Sequence, residues 1–191
     1  MADTKAAPVL WINGFPGSGK LTVAKIIAWN HHSAVLLDNH KLIDPVEARF
    51  SRDHPDYQIR RRPYRRAVLD RYVRDESTLS RLVIFTDSEL GREVANEYRD
   101  AARETGRPFI PVYMICDVEA NLERIANADR LESALGKLLD RRTLERLRGS
   151  CELYVFEDDC PSLTVDTTNT PPADTAMRIL AFLDRLCPDA W

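Results

Sequence analysis

The feature that most constrains this 191-residue chain is a segment near its start, Gly14-Phe15-Pro16-Gly17-Ser18-Gly19-Lys20-Leu21-Thr22. Its spacing is G-x-x-x-x-G-K-x-T. Before it lies a short apolar run, residues 9–12, ended by Asn13-Gly14; after it, residues 22–29 place Val23, Ile26 and Ile27 at helical spacing. The first reads as a buried strand and the second as a helix. Glycines let a backbone curl until successive N–H groups face inward as an anion nest. A helix that begins near Lys20 adds the positive end of its dipole and unbonded N–H groups. Lys20 supplies a mobile point charge suited to β and γ phosphates. Together these predict a triphosphate cradle formed by residues 14–22.

One position departs from the usual pattern. Ser or Thr normally follows the lysine, where its hydroxyl meets magnesium. Here Leu21 occupies that position and Thr22 follows. The delayed threonine and the proline resemble the adenylate-kinase style of loop, G-x-P-G-x-G-K-G-T, rather than a GTPase loop. No Asn-Lys-x-Asp segment for guanine is present in the sequence. Leu21 cannot ligate a metal. Magnesium is therefore expected to be held by phosphates, waters and a more distant carboxylate, which suits its reluctance to dehydrate.

The rest of the chain alternates short apolar runs with helical patterns. Residues 34–37, 82–85, 109–116 and 163–165 read as further strands. Residues 93–104, 118–126, 138–148 and 173–186 read as helices. Continuous apolar strands between helices predict an α/β fold with a parallel sheet covered on both faces. Ligands in such sheets bind beyond the carboxyl ends of the strands. Asn13, Asp38, Asp87 and Asp166 all fall at or just past those ends. They either converge on one crevice or simply terminate strands and cap helices.

Composition closes off other classes. At 44% apolar and 30% charged residues the chain is globular in character. No apolar run approaches the roughly 20 residues a membrane helix needs. Lys plus Arg total 27 against 30 for Asp plus Glu, so net charge makes no case for broad nucleic-acid binding. Residues 1–7 read as a loose tail, and MADTKAAP lacks the apolar core of a secretory signal. The four cysteines, Cys116, Cys151, Cys160 and Cys187, form no Cys-x-x-Cys pair and read as reduced thiols of a cytoplasmic protein.

Several segments together resemble a known group: INGFPGSGKLTVAK (12–25), LLDNHKLIDP (36–45), VIFTD (83–87), ADRLESALGKLLD (128–140) and LTVDTT (163–168). They look like P-loop kinases of the small-molecule phosphotransferase type, near chloramphenicol phosphotransferase, zeta-toxin kinases and shikimate or gluconate kinases. They are also similar to a group labelled AAA-type ATPase or P-loop kinase-like, which shares GFPG-x-GK-L-T and DNH-x-x-IDP. The resemblance covers most of residues 8–186. It implies a three-layer P-loop NTPase fold with a five-stranded parallel sheet of order 2-3-1-4-5. It implies one domain over 8–191, with acceptor-binding helices over about 44–78 and a helical lid over about 118–142. ATP would be the phosphoryl donor, with magnesium, and the acceptor a hydroxyl of a small molecule.

The same resemblance suggests roles. Asp38 would bind the acceptor hydroxyl and take its proton, with His40 sharing that task or binding substrate. A carboxylate one hydrogen bond from a hydroxyl suffices, since phosphoryl transfer needs mostly positioning. Asp87 would reach magnesium through water, and Thr22 is the other candidate ligand. Arg124 would face adenine, Arg130 the transferring phosphoryl group, and Thr167-Thr168 the edge of the adenine pocket. Lys137, Arg141 and Arg142 read more plainly as part of an ordinary Arg-rich helix with Glu123, Glu132 and Asp140 as partners. The cluster Arg60-Arg61-Arg62 with Arg65-Arg66 reads as a solvated helix face balanced by Asp53, Asp56, Asp70 and Asp75. Its alternative reading is a site for an anionic acceptor. Trp11 and Trp29 are expected in the core. Two other functions stay open: a nucleotide-binding ATPase module acting through a partner, and a polynucleotide 5′-hydroxyl kinase.

Overall fold

All six residues of β1 (Val9–Gly14) are buried, and alternate side chains enter different cores. Leu10 and Ile12 join one apolar cluster. Val9 and Trp11 join another on the opposite face. Burial on both faces is why this strand reads as a continuous apolar run rather than an alternation. The computed structural model of the chain describes residues 6–38, 46, 49–50, 54–88, 91–126, 141–157 and 160–188.

After β1 come α1 (Lys20–Asn30), β2 (Val35–Asp38) and α2 (Tyr57–Leu69). α2 runs on into a π turn, Asp70–Arg74, and a 3₁₀ turn, Glu76–Thr78. Then follow β3 (Val83–Asp87), α3 (Arg92–Glu104), β4 (Phe109–Ile115), α4 (Val118–Ala126), α5 (Arg141–Ser150), β5 (Leu163–Asp166) and α6 (Pro172–Leu186). The five strands form one parallel sheet of order β2-β3-β1-β4-β5, the order the resemblance implied. Val23, Ala24 and Ile27 of α1 and Ala176, Ile179 and Leu183 of α6 cover one face. Leu69, Val73 and the α3 residues Val94, Ala95 and Tyr98 cover the other. Trp11 centres that second core, with its ring 5.8 Å from Phe156 and 6.2 Å from Tyr98 and from Phe109. Truncating so buried an aromatic costs about 3–5 kcal/mol.

Two expectations are corrected. Trp29 is not core: it is 86% exposed. Val23, Ala24 and Ile27 form the buried stripe of α1, and at roughly 100° per residue Trp29 falls on the far side of the helix from Ile27. The loose tail is shorter than 1–7. Ala7 is fully buried and its amide donates to the Leu79 carbonyl at 2.7 Å. The four cysteines are free thiols, with Cys116 and Cys187 buried. Among the described residues no helix is long and apolar enough to cross a membrane.

Arg107 ties Ala7 to the loops at this end of the sheet. It is 3% exposed. Its Nε donates to Ala7 O at 2.9 Å, its Nη1 to Tyr72 O at 3.2 Å and Thr78 O at 3.4 Å, and its Nη2 to Arg81 O. Burial pulls its pKa down to about 10, which leaves it charged at neutral pH. One side chain thus serves four main-chain carbonyls, two in the π and 3₁₀ turns and two outside any helix or strand. Arg107→Met should lower unfolding free energy by about 2–4 kcal/mol, because buried acceptors lose a charged donor. Urea unfolding checks this; a change within about 0.5 kcal/mol, the range of an ordinary surface substitution, would remove Arg107 from the packing scheme.

Candidate functional site

β1 ends at Gly14 and α1 begins at Lys20, and the chain between them curls. Gly17 and Gly19 have φ of 87° and 89°, the left-handed region that disfavours L side chains. The amide of Ser18 donates to Phe15 O at 3.1 Å, closing a turn inside the loop. A Cβ on Gly14 would sit 2.8 Å from Ser18 Oγ and 2.9 Å from Met114 O, so the loop base lies directly on β4. A Cβ on Gly17 would sit 2.5 Å from Asn121 Nδ2 and 2.6 Å from Ile125 Cγ2. Gly19 meets nothing within 4 Å, so this side of the curl is open.

The open side suits an anion. No side chain caps the N-terminus of α1, and no acidic residue lies in its first turn. The amides there keep their capacity and the positive end of the helix is not neutralised by a carboxylate. Lys20 Nζ bends back to donate to Phe15 O at 3.0 Å, which keeps its charge over the loop. Ser18 Oγ is buried without a hydrogen-bond partner among the described residues. Leu21 is half-buried and Thr22 exposed. The loop has the open curl that the glycine spacing predicts, and its donor set fits a phosphate group.

Two networks brace the loop from the β4 side. In the first, Thr167, just beyond β5, donates through Oγ1 to Ser18 O at 3.2 Å and to Ile115 O at 3.0 Å. Arg124 on α4 donates through Nη2 to Thr167 O at 2.5 Å and Thr168 O at 2.9 Å. The structure therefore brings Arg124 and Thr167 together beside the loop. In the second, Asn121 Nδ2 donates to Pro16 O at 2.8 Å, and Arg148 Nη1 donates to Asn121 Oδ1 at 2.8 Å. Arg148 Nη2 reaches Cys116 O at 2.9 Å, and its guanidinium lies over the Phe15 ring, 5.0 Å from the centroid. Sequence reasoning missed Asn121 and Arg148. The available signal was an Asn on the inward face of an amphipathic helix, in the same stripe as Leu122 and Ile125. A cavity of about 510 Å³ opens here, walled by Phe15, Ile115, Val118, Arg148 and Leu153 among others. Arg130 lies outside the described residues.

On the β3 side the strand ends line up. Asn13 and Asp87 are register partners, and Asp38 pairs with Thr86, next to Asp87. Asp38 thus lies two strand spacings from the loop strand, roughly 10 Å. Asp87 is 2% exposed, and its Oδ1 accepts from Ser88 N at 2.8 Å. Tyr98 also bonds to Asp87; burial, then the Asp87 charge, push the phenol pKa well up, so it stays protonated as a donor. Asp166, by contrast, sits on the far edge strand. Its carboxylate accepts from the Thr168 hydroxyl at 2.6 Å and amide at 2.8 Å, and those bonds hold its pKa below the usual value. His40 lies outside the described residues.

The arginine cluster is not simply a solvated face. Arg60, Arg62 and Arg66 are exposed, but Arg61 and Arg65 are 5% and 2% exposed. With Tyr57 and Leu69 they form one inward stripe at a spacing of four. Arg65 Nε donates to Glu97 Oε2 at 2.7 Å and its Nη2 to Oε1 at 3.2 Å. Its Nη1 is buried without a hydrogen-bond partner among the described residues. The expected acidic partners are mostly elsewhere. Asp70 pairs with Arg66 at 4.0 Å and Arg74 at 3.0 Å, while Asp75 accepts from the Ser77 amide at 2.9 Å and hydroxyl at 2.7 Å. Asp53 lies outside the described residues. Arg141 pairs with Glu145 at 3.0 Å and Glu119 at 3.5 Å on the surface, an ordinary stem contact.

Two glycines with nearly equal φ separate strain from packing. Gly19→Ala should cost about 1–2 kcal/mol for a left-handed Ala in open space. Gly17→Ala should cost about 2–4 kcal/mol, because its methyl also overlaps α4. Urea unfolding of the two variants checks the difference; equal losses would mean that α4 is not seated against Gly17.

Comparison with known proteins agrees with this geometry. A family model described as AAA domain matches residues 9–154. No curated protein matches the chain. Among solved structures, the chain is similar to a sugar kinase from Janibacter sp. HTCC2649, at 22% identity over 97% of this chain and 99% of that one, with a TM-score of 0.64. It is similar to a gluconokinase from Sinorhizobium meliloti 1021, at 21% identity over 96% and 95% of the two chains, with a TM-score of 0.66. A shikimate kinase from Acinetobacter baumannii in complex with shikimate gives 21% identity, 96% coverage of both chains and a TM-score of 0.57. The family match takes in the phosphate loop, β1 to β4 and both helices that bracket the undescribed 127–140, so the chain belongs to the AAA domain family and carries the fold of P-loop small-molecule kinases.

Proposed function

We propose that this protein transfers the γ-phosphoryl group of ATP to a hydroxyl of a small molecule. The observation that carries the reading is the open loop of residues 14–20. It presents uncapped helix-start amides and the Lys20 ammonium at the carboxyl end of a parallel sheet, with Asp38 two strands away. Loop amides and Lys20 hold the phosphates, and Asp38 orients the acceptor and accepts its proton. From the resemblance, Arg124 and Thr167, which meet beside the loop, are assigned to the base of the nucleotide. From the resemblance, Arg130 is assigned to charge on the transferring group and His40 to the acceptor.

Magnesium, when bound, would neutralise charge between the phosphates. Asp87, buried at the strand end beside the loop strand, is the carboxylate placed to reach it through water. Thr22 is exposed and lies about 100° round α1 from position 21, so it does not reproduce the usual hydroxyl position. On this reading donor and acceptor lie on opposite flanks of the loop strand, the nucleotide base toward β4 and β5 and the acceptor toward β3 and β2, and the sheet order is compatible with that division. The kinase names of the structural neighbours support the same class. A polynucleotide acceptor fits less well. Arg61 and Arg65 are buried, so the cluster is not the exposed basic strip that a phosphate backbone lies along.

Lys20→Ala should weaken ATP binding by about 10- to 100-fold, the loss of one charge-assisted contact, as read by calorimetry. Asp38→Asn should keep ATP binding and lower transfer by about 10²- to 10⁴-fold. The acceptor class is found by following ATP turnover against panels of sugars, sugar acids and hydroxylated carboxylates. Unchanged ATP affinity in the lysine variant, or no hydroxyl compound that raises turnover, would overturn the reading.

A further inference from the structure

We infer that Arg148 and Asn121 are positioning residues that set the curl of the phosphate loop from outside it. The inference rests on the reading of that loop as the nucleotide site. A carboxamide is asymmetric: one end only accepts and the other only donates. Arg148 only donates, so its 2.8 Å contact fixes Asn121 Oδ1 toward the guanidinium. Nδ2 must then face the loop, where it meets Pro16 O at 2.8 Å. With Arg148 removed, only Pro16 O still holds that orientation, so the carboxamide loses one of its two restraints and the tether to the loop loosens. The same Nδ2 is the atom that a side chain at Gly17 would strike, so Asn121 is both the tether and the floor of the curl.

Arg148 holds the loop at a second point, through the Phe15 ring. It also anchors to Cys116 O at the end of β4, which fixes it to the sheet that carries the loop. Its hydrogen bonds to Asn121 and Cys116 go to neutral acceptors, and Asn121 is fully buried. The contacts arrange the backbone between Phe15 and Gly17 rather than neutralise a carboxylate. They also join the loop to α4 and α5, the two helices on either side of residues 127–140. The loop is therefore tied to both helices.

The test uses the full chain with Arg148→Ala, Arg148→Lys, Asn121→Ala and the Arg148→Ala/Asn121→Ala double variant. Calorimetry with ATP should give affinity about tenfold weaker in Arg148→Ala, partly restored in Arg148→Lys, and a loss in the double variant clearly smaller than the sum of the two single losses, because the Asn121 contact is shared while the Phe15 contact is not. KM for ATP should rise more than kcat falls. Amide hydrogen exchange at residues 15–19, measured without nucleotide, should quicken in Arg148→Ala and less in Arg148→Lys. Additive losses in the double variant, or loop exchange and ATP affinity within twofold of the parent in Arg148→Ala, would overturn the clamp. The Lys20→Ala variant separates the two readings. If it binds ATP like the parent, the nucleotide assignment fails, and the nucleotide-free exchange rates still decide the clamp.

Discussion

Main-chain amides gather an anion only when they point the same way, and at the start of α1 they do so because the chain is bent at Gly17 and Gly19 into a conformation that other residues avoid. The bend is not held by the glycines themselves, which are as free in the opposite sense. It is held by contact. Gly14 is pressed onto β4 and Gly17 onto α4, both closer than any Cβ allows. The loop is thus a surface feature with a buried underside, and its shape is a consequence of how β4 and α4 pack. Any account of binding at this loop is also an account of those two elements.

The sheet converts that local shape into a site. Parallel strands deliver their carboxyl ends to one edge, so Asn13, Asp38 and Asp87 meet there although they are far apart in sequence. Strand order then divides the edge. Thr167, just after β5, donates to Ser18 O in the loop, and Arg124 of α4 in turn holds Thr167 O. Asp38 and Asp87 belong to β2 and β3 on the other flank. Asp166 shows that position at a strand end is not enough. It lies on the far edge strand, and its carboxylate serves the turn that follows it.

What was legible in the sequence was what is local. The glycine spacing marked the curl, and apolar runs marked the five strands within one or two residues of their ends, β1 and β3 buried throughout and the edge strands β2 and β5 less so. Strand order came only from the resemblance, since apolar runs carry no information about their neighbours. Trp29 misleads because hydrophobicity was read without helix phase; counted from Val23 and Ile27 it falls outside the stripe. Arg61 and Arg65 were hidden by the residues beside them, although their spacing from Tyr57 and Leu69 marks one face. Arg148 and Asn121 lie 27 residues apart and act through a folded contact, so no local pattern joins them. Arg107 is of the same kind, one side chain serving carbonyls from three segments of chain.

Arg65 raises a separate question of why a charge is buried at all. Burial pulls its pKa down, and the Glu97 hydrogen bond and the nearby carboxylates of Glu97 and Asp87 more than restore it. Taking both ions of such a pair out of water costs several kcal/mol each, on the order of what their attraction returns. An apolar pair of equal volume would serve stability as well. What apolar side chains would not supply is direction: the fork of Arg65 meets both oxygens of Glu97, which fixes α2 against α3 in one rotation. Arg65 and Tyr98 both flank Asp87, so the same contact sets the surroundings of the carboxylate at the end of β3. Net stability does not account for the pair, whereas its place between two helices and the working edge of the sheet does.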